Sequence, residues 1–103
     1  MRSAAPVFAA LGDETRLQIV SRLSTGGPLS ITRLAAGFPM TRQAITKHLR
    51  VMEGAGLVRS VESGRESLWQ LEEASLAAAR QHLHRISARW DERLARLKRF
   101  VER

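Results

Sequence analysis

Thr41-Arg42-Gln43-Ala44-Ile45-Thr46-Lys47-His48-Leu49-Arg50-Val51-Met52-Glu53-Gly54-Ala55-Gly56-Leu57-Val58 is the stretch on which the fold turns. At 3.6 residues per turn, Ile45, Leu49 and Met52 share one helix face, with His48 at its margin. Gln43, Thr46, Lys47 and Arg50 share the opposite face, and no carboxylate interrupts them before Glu53. Long hydrogen-bonding side chains beside cations can read base edges and neutralise phosphates together, as a helix in a DNA major groove must. Thr41 is placed to cap this helix, and Gly54 or Gly56 to stop it.

Beyond the helix the apolar period changes from 3.6 to 2. Leu57–Glu62 and Glu66–Leu71 read as strands, with Ser63, Gly64 and Arg65 between them. Gly64 supplies the positive φ of a tight hairpin turn. Arg59 and Arg65 are expected at or near the hairpin tip, where they meet phosphates or enter a minor groove. Upstream, Pro6 suits the first turn of a short helix anchored by Phe8 and Leu11 and broken by Gly12. Asp13 caps a second helix with Leu17, Ile19, Val20 and Leu23 as its stripe, running to a loop over Ser24–Pro28. Ser30 caps a third, burying Ile31 and Leu34 before Gly37-Phe38-Pro39. Two short helices with a basic second member, followed by a hairpin, make a winged helix-turn-helix.

From about residue 73 to 101 one long helix is the economical reading. Leu76, Leu83, Trp90 and Leu97 recur every seven residues, and Ala79, Ile86, Leu94, Phe100 and Val101 widen the stripe. Glu72 and Glu73 at its start and Arg96, Lys98, Arg99 and Arg103 at its end match the helix dipole. Such a helix exceeds what a small winged domain needs for cover, so it reads as a dimerisation element. The fold class is therefore mostly α with a small β-hairpin. One domain of 103 residues divides into the winged part over about 4–71 and the dimerisation helix over about 73–101. The expected dimer interface draws Phe8 and Leu11 from the first helix and Leu76, Leu83, Ile86, Trp90, Leu94, Leu97 and Val101 from the last.

Composition agrees. Seventeen Lys and Arg against ten Asp and Glu give a formal net charge of +7, which favours a polyanionic partner without locating its surface. Cysteine is absent, removing disulfides, thiolate ligands and thiol redox chemistry. No run approaches the roughly 18 apolar residues of a membrane span. The opening Met1-Arg2-Ser3-Ala4-Ala5-Pro6 leads into too short an apolar stretch for a secretory signal, so a cytoplasmic protein is expected. The adjacent carboxylates Asp13-Glu14, Glu72-Glu73 and Asp91-Glu92 suit helix starts or solvated faces better than catalysis, and no glycine-rich phosphate loop follows a strand. No enzyme activity, catalytic residue or cofactor is expected.

Specific words in the chain now matter. Phe8-Ala9-Ala10-Leu11-Gly12-Asp13-Glu14-Thr15-Arg16 resembles the opening of the ArsR-type winged-helix transcriptional regulators. Thr41 to Leu49 resembles that family's recognition helix, and Glu53-Gly54-Ala55-Gly56-Leu57-Val58 its helix-to-wing junction. The resemblance spans nearly the whole chain in order and spacing. It implies a homodimeric, sequence-specific DNA-binding regulator, usually a repressor. The family's metal sensors carry two cysteines in a Leu-Cys-x-Cys-Asp-Leu word in the third helix. Here the aligned residues are Leu29-Ser30-Ile31-Thr32-Arg33-Leu34, whose hydroxyls are poor ligands for soft metals. On the last helix His82 and His84 lie two residues apart and face different ways, and neither completes the family's second metal word. No metal site is expected. Trp69 reads as core and Trp90 as an interface anchor.

The expected partners are double-stranded DNA and a second copy of the chain, with no membrane, and a small-molecule effector of unknown identity is left open. Thr41, Arg42, Gln43, Thr46, Lys47, His48 and Arg50 form the DNA-binding helix surface. Arg59, Ser63, Gly64 and Arg65 form its wing counterpart. Gln43 can bond adenine bidentately and Arg50 or Arg42 guanine, while Lys47 and Thr46 hold phosphates or support a base contact. His48 is expected to pack or to touch a phosphate. Two rival classes are a protein-interaction module, using the long helix for another partner, and an RNA-binding winged helix following an A-form backbone.

Overall fold

The computed structural model describes residues 4–102, so Met1, Arg2, Ser3 and Arg103 of the readings above lie outside it. Among the described residues five helices and three strands follow in the order α1 (Ala5–Leu11), α2 (Glu14–Gly26), β1 (Leu29–Ser30), α3 (Ile31–Ala35), α4 (Arg42–Gly54), β2 (Val58–Ser63), β3 (Glu66–Leu71) and α5 (Glu73–Val101). The three short helices before α4 pack around it, the sheet closes one side, and α5 leads away from the body.

Polar caps fix the helix starts. The Asp13 carboxylate accepts from the Arg16 N–H at 3.0 Å and opens α2. Ser30 Oγ accepts from Arg33 N–H at 3.3 Å for α3, and Thr41 Oγ1 from Ala44 N–H at 3.1 Å for α4. Each hydroxyl or carboxylate satisfies a donor that the first helical turn cannot pair internally.

The core gathers Ile19 and Leu23 of α2, Leu34 of α3, Ile45, Leu49 and Met52 of α4, Leu57, Val58 and Trp69. All three apolar residues assigned to the buried face of α4 are fully buried. Burying side chains of this size is worth about 1.5–3 kcal/mol each, which outweighs the modest helix propensity of a β-branched residue such as Ile45.

Several local expectations change. Ser24, Thr25 and Gly26 are helical rather than loop. Ser24 Oγ donates back to the Val20 carbonyl at 2.8 Å, and Thr25 Oγ1 to that of Ser21 at 3.2 Å. The turn falls on Gly27, at φ 70°. Leu17 faces outward, because Ile19 and Leu23 occupy the buried side of α2. In α1 the buried residues are Val7 and Ala10, while Phe8 and Leu11 pack at the edge of the core. Leu29–Ser30 adds a third strand, pairing antiparallel with β3 so that Leu29 opposes Trp69. A two-residue strand leaves no periodicity to read.

The wing strands pair in register from Val58 opposite Leu71 to Ser63 opposite Glu66, and Gly64 turns the chain at φ 62°. Arg59 pairs with Gln70 near the base of the wing, so its expected place at the tip is corrected.

α5 runs for 29 residues, about 43 Å at 1.5 Å per residue. Its last buried residue is Ala79. The molecule therefore measures 67 × 31 × 20 Å, with a radius of gyration of 18.0 Å where a compact chain of this length has about 13 Å.

Candidate nucleic-acid interface

The outer face of α4 stands clear of the body. Arg42, Gln43, Lys47 and Arg50 are exposed, and Thr46 and His48 are half-buried at its two margins. The Gln43 and Lys47 side chains have no partner among the described residues, so a ligand meets them without displacing an internal contact.

The two arginines are held. Arg42 Nη2 donates to Thr32 Oγ1 of α3, tying the two helices of the helix-turn-helix together. Arg50 Nη1 lies 2.9 Å from Glu53 Oε1, and its guanidinium carbon lies 5.4 Å from the Trp69 ring centroid. Trp69 itself is 4% exposed. A buried strand residue thus fixes the direction of a surface cation, limiting its rotamers before any ligand arrives. Thr46 Oγ1 donates to the Arg42 carbonyl at 2.8 Å, leaving its oxygen free only as an acceptor.

His48 is turned toward the body. Its Nδ1 lies 3.5 Å from Arg16 Nη1 and 3.9 Å from the Asp13 carboxylate. Arg16 Nε also donates to the Ala10 carbonyl at 2.7 Å, joining the end of α1 to α4 through one side chain. The Arg16 N–H, the largest effect, holds the Asp13 carboxyl below its ordinary value of 3.8; burial, the next largest, opposes it, and the Arg16 charge and the nearby His48 ring add to the lowering.

The two wing faces differ. Ser60, Glu62, Glu66 and Ser67 line a groove with Thr46 and Arg50, so carboxylates stand beside the helix cations. Ser67 Oγ donates to Glu62 at 2.6 Å. Arg59 lies on the other face, 2.8 Å from Glu72 Oε1. Arg65 and Gly64 occupy the turn, and Ser63 is the exposed last residue of β2. Among the described residues Arg65 has no partner, whereas Arg59 is paired and faces away from α4.

Thr32, Glu53, Trp69, Glu62 and Glu66 were not singled out as parts of this surface. Glu53 was legible, since i,i+3 places it beside Arg50. The other contacts cross between elements far apart in sequence and leave no local trace.

The residues expected at a dimer interface separate into two groups. Phe8, Leu11 and Leu76 pack partly against the core. Leu83, Ile86, Trp90, Leu94, Leu97 and Val101 are 41% to 72% exposed along α5. The His82 ring lies 5.9 Å from that of Phe8, and His84 is exposed. Among the described residues no group of three or more His, Asp or Glu lies close enough to hold a metal ion. No helix among them is long and apolar enough to cross a membrane.

Comparison with known proteins agrees with this architecture. A helix-turn-helix domain model matches residues 11–61. The chain is 40% identical over 88 residues to the HTH-type transcriptional regulator Rv2034 of Mycobacterium tuberculosis, a match covering 85% of this chain and 81% of the relative. It is similar to the solved structure of an ArsR-like transcriptional regulator from Rhodococcus sp. RHA1, with 44% identity, a TM-score of 0.78 and coverage of 94% and 91%. The fold also matches the homodimeric winged helix-turn-helix DNA-binding domain of Mb0332 from Mycobacterium bovis, at 24% identity, a TM-score of 0.65 and coverage of 82% and 76%.

Proposed function

This chain belongs to the ArsR-type winged helix-turn-helix transcriptional regulators, and on that premise we propose that it is a homodimeric, sequence-specific repressor of a near-palindromic operator. The observation that carries the reading is the division of α4. One face is fully buried through Ile45, Leu49 and Met52, while Gln43 and Lys47 stand exposed and unengaged on the other. A rigid helix that presents amide and ammonium groups together suits major-groove docking, with the base contact at Gln43 and phosphate contacts at Lys47. Arg50, aimed by Trp69, is the guanine reader of this arrangement, and Arg65 adds a wing contact to the backbone.

Dimerisation is supported by the apolar strip of α5, which a lone chain would leave in water from Leu83 to Val101. Two copies joined through α1 and α5 would set their α4 helices in successive major grooves, with half-sites about 34 Å apart. The reading assigns no catalytic residue and no cofactor, and it places the protein in the cytoplasm. It excludes a thiolate metal switch, because Ser30 and Thr32 stand where the sensors carry cysteine and both hydroxyls are spent on Arg33 and Arg42. A small-molecule effector remains compatible with it. Sedimentation of the protein with a bound duplex tests the assembly: two chains per duplex supports the reading, and one chain per duplex refutes it.

A further inference from the structure

Beyond its apolar strip, α5 carries a second ordered feature. Arg85, Arg89, Arg93 and Arg96 follow one another at intervals of four, four and three residues, which sets them on one side of the helix. That side lies roughly 100° round the axis from the Leu83–Trp90–Leu97 line, so apolar pairing along α5 leaves it open. All four are exposed. Arg85, Arg89 and Arg96 have no hydrogen-bond or ion-pair partner among the described residues, and Arg93 lies over Trp90, 5.7 Å from the ring centroid. Of the two carboxylates between Arg85 and Arg96, Asp91 points to another side of the helix, and Glu92, within the row, pairs with none of the four among the described residues. A charged helix face usually carries alternating signs that offset each other. This one does not.

We propose that this arginine row, resting on the operator reading above, is a second binding surface for duplex DNA, taking the phosphate backbone of a segment other than the operator. Three observations favour DNA in trans. The cations are all arginine, whose planar fork bonds phosphate oxygens bidentately. The row extends about 16 Å from Arg85 to Arg96, the reach of about five phosphates at 3.4 Å spacing along one strand. Finally, the row begins six residues past Ala79, the last buried residue of α5, on the part of the helix that leads away from the body. A dimer would carry two rows and could bridge two duplexes.

The test anchors the full-length protein on an immobilised operator and adds a fluorescent duplex of random sequence. The wild-type complex is expected to capture the second duplex with a salt dependence of about −3 to −4 in log–log slope. R85Q/R89Q/R93Q/R96Q should hold the operator as before and lose at least tenfold in capture, while the fourfold Lys variant recovers most of it. Circular dichroism confirms that both variants are folded. Equal capture by wild type and the Gln variant, or no capture by wild type, overturns the proposal. So does competition by polyglutamate that random duplex does not match, which would assign the row to an acidic protein. Q43A/K47A, anchored by a terminal tag in place of the operator, separates the two readings: lost operator discrimination with capture of random duplex intact leaves the proposal standing, and lost capture assigns the second duplex to α4 and overturns it.

Discussion

The Arg50 guanidinium rests over the indole of Trp69, 5.4 Å from its ring centroid, and Glu53 holds the same group at 2.9 Å. A core tryptophan on the wing and an acid one turn along α4 therefore both act on one exposed cation. Glu53 competes with any anionic or base-edge partner for Arg50. Glu53→Gln should tighten operator binding by about two- to fivefold, the worth of an exposed pair of this kind, with little change in stability. Fluorescence anisotropy measures it, and weaker binding would show that Glu53 positions Arg50 instead of restraining it.

Gln43 and Arg65 are expected to fail differently. Gln43→Ala should cost about 1–3 kcal/mol on the operator and relax preference at one base pair. Arg65→Ala should weaken operator and random duplex alike and lower the salt slope by about 0.9. Titrations of both variants at several salt concentrations separate the roles, and parallel losses on both DNAs would remove the distinction.

Core and interface positions also divide. Leu49 is fully buried, so Leu49→Ala should cost about 2–5 kcal/mol in chemical denaturation. Trp90 is 57% exposed in the single chain, so Trp90→Ala should leave secondary structure intact and shift sedimentation from dimer to monomer. A Trp90→Ala protein that remains fully dimeric would move the interface elsewhere.

Asp13 gives a pH dependence of known sign. Its carboxyl lies below the ordinary 3.8 in the folded chain, first through the Arg16 N–H, so its contribution is present above that value. The contribution is lost as pH falls through the lowered folded value. Thermal melts should show wild type losing stability below pH 3.8 more steeply than Asp13→Asn, which keeps a cap acceptor without the titrating charge. Coincident acid limbs would contradict this.

What was legible in the chain follows the range of the interactions. The α4 faces, the Thr41, Ser30 and Asp13 caps and the span of α5 rest on contacts within a few residues, and spacing alone recovers them. The Leu29–Ser30 strand exists because β3 offers a free edge forty residues later, and nothing local announces it. Arg59 was misplaced because counting from the glycine turn ignores how many residues pair before it. The engagement of Arg42 by Thr32, of Arg50 by Trp69 and of His48 by Arg16 arises only when distant elements pack. A list of candidate cations could be read from sequence, but which of them are already held could not.

The most direct measurement is selection of bound duplexes from random-sequence DNA by the purified protein. An inverted repeat should emerge, with half-sites centred about one helical turn apart, and the Gln43→Ala protein should lose information at one position of each half. Recovery of sequences with no shared motif would contradict the account.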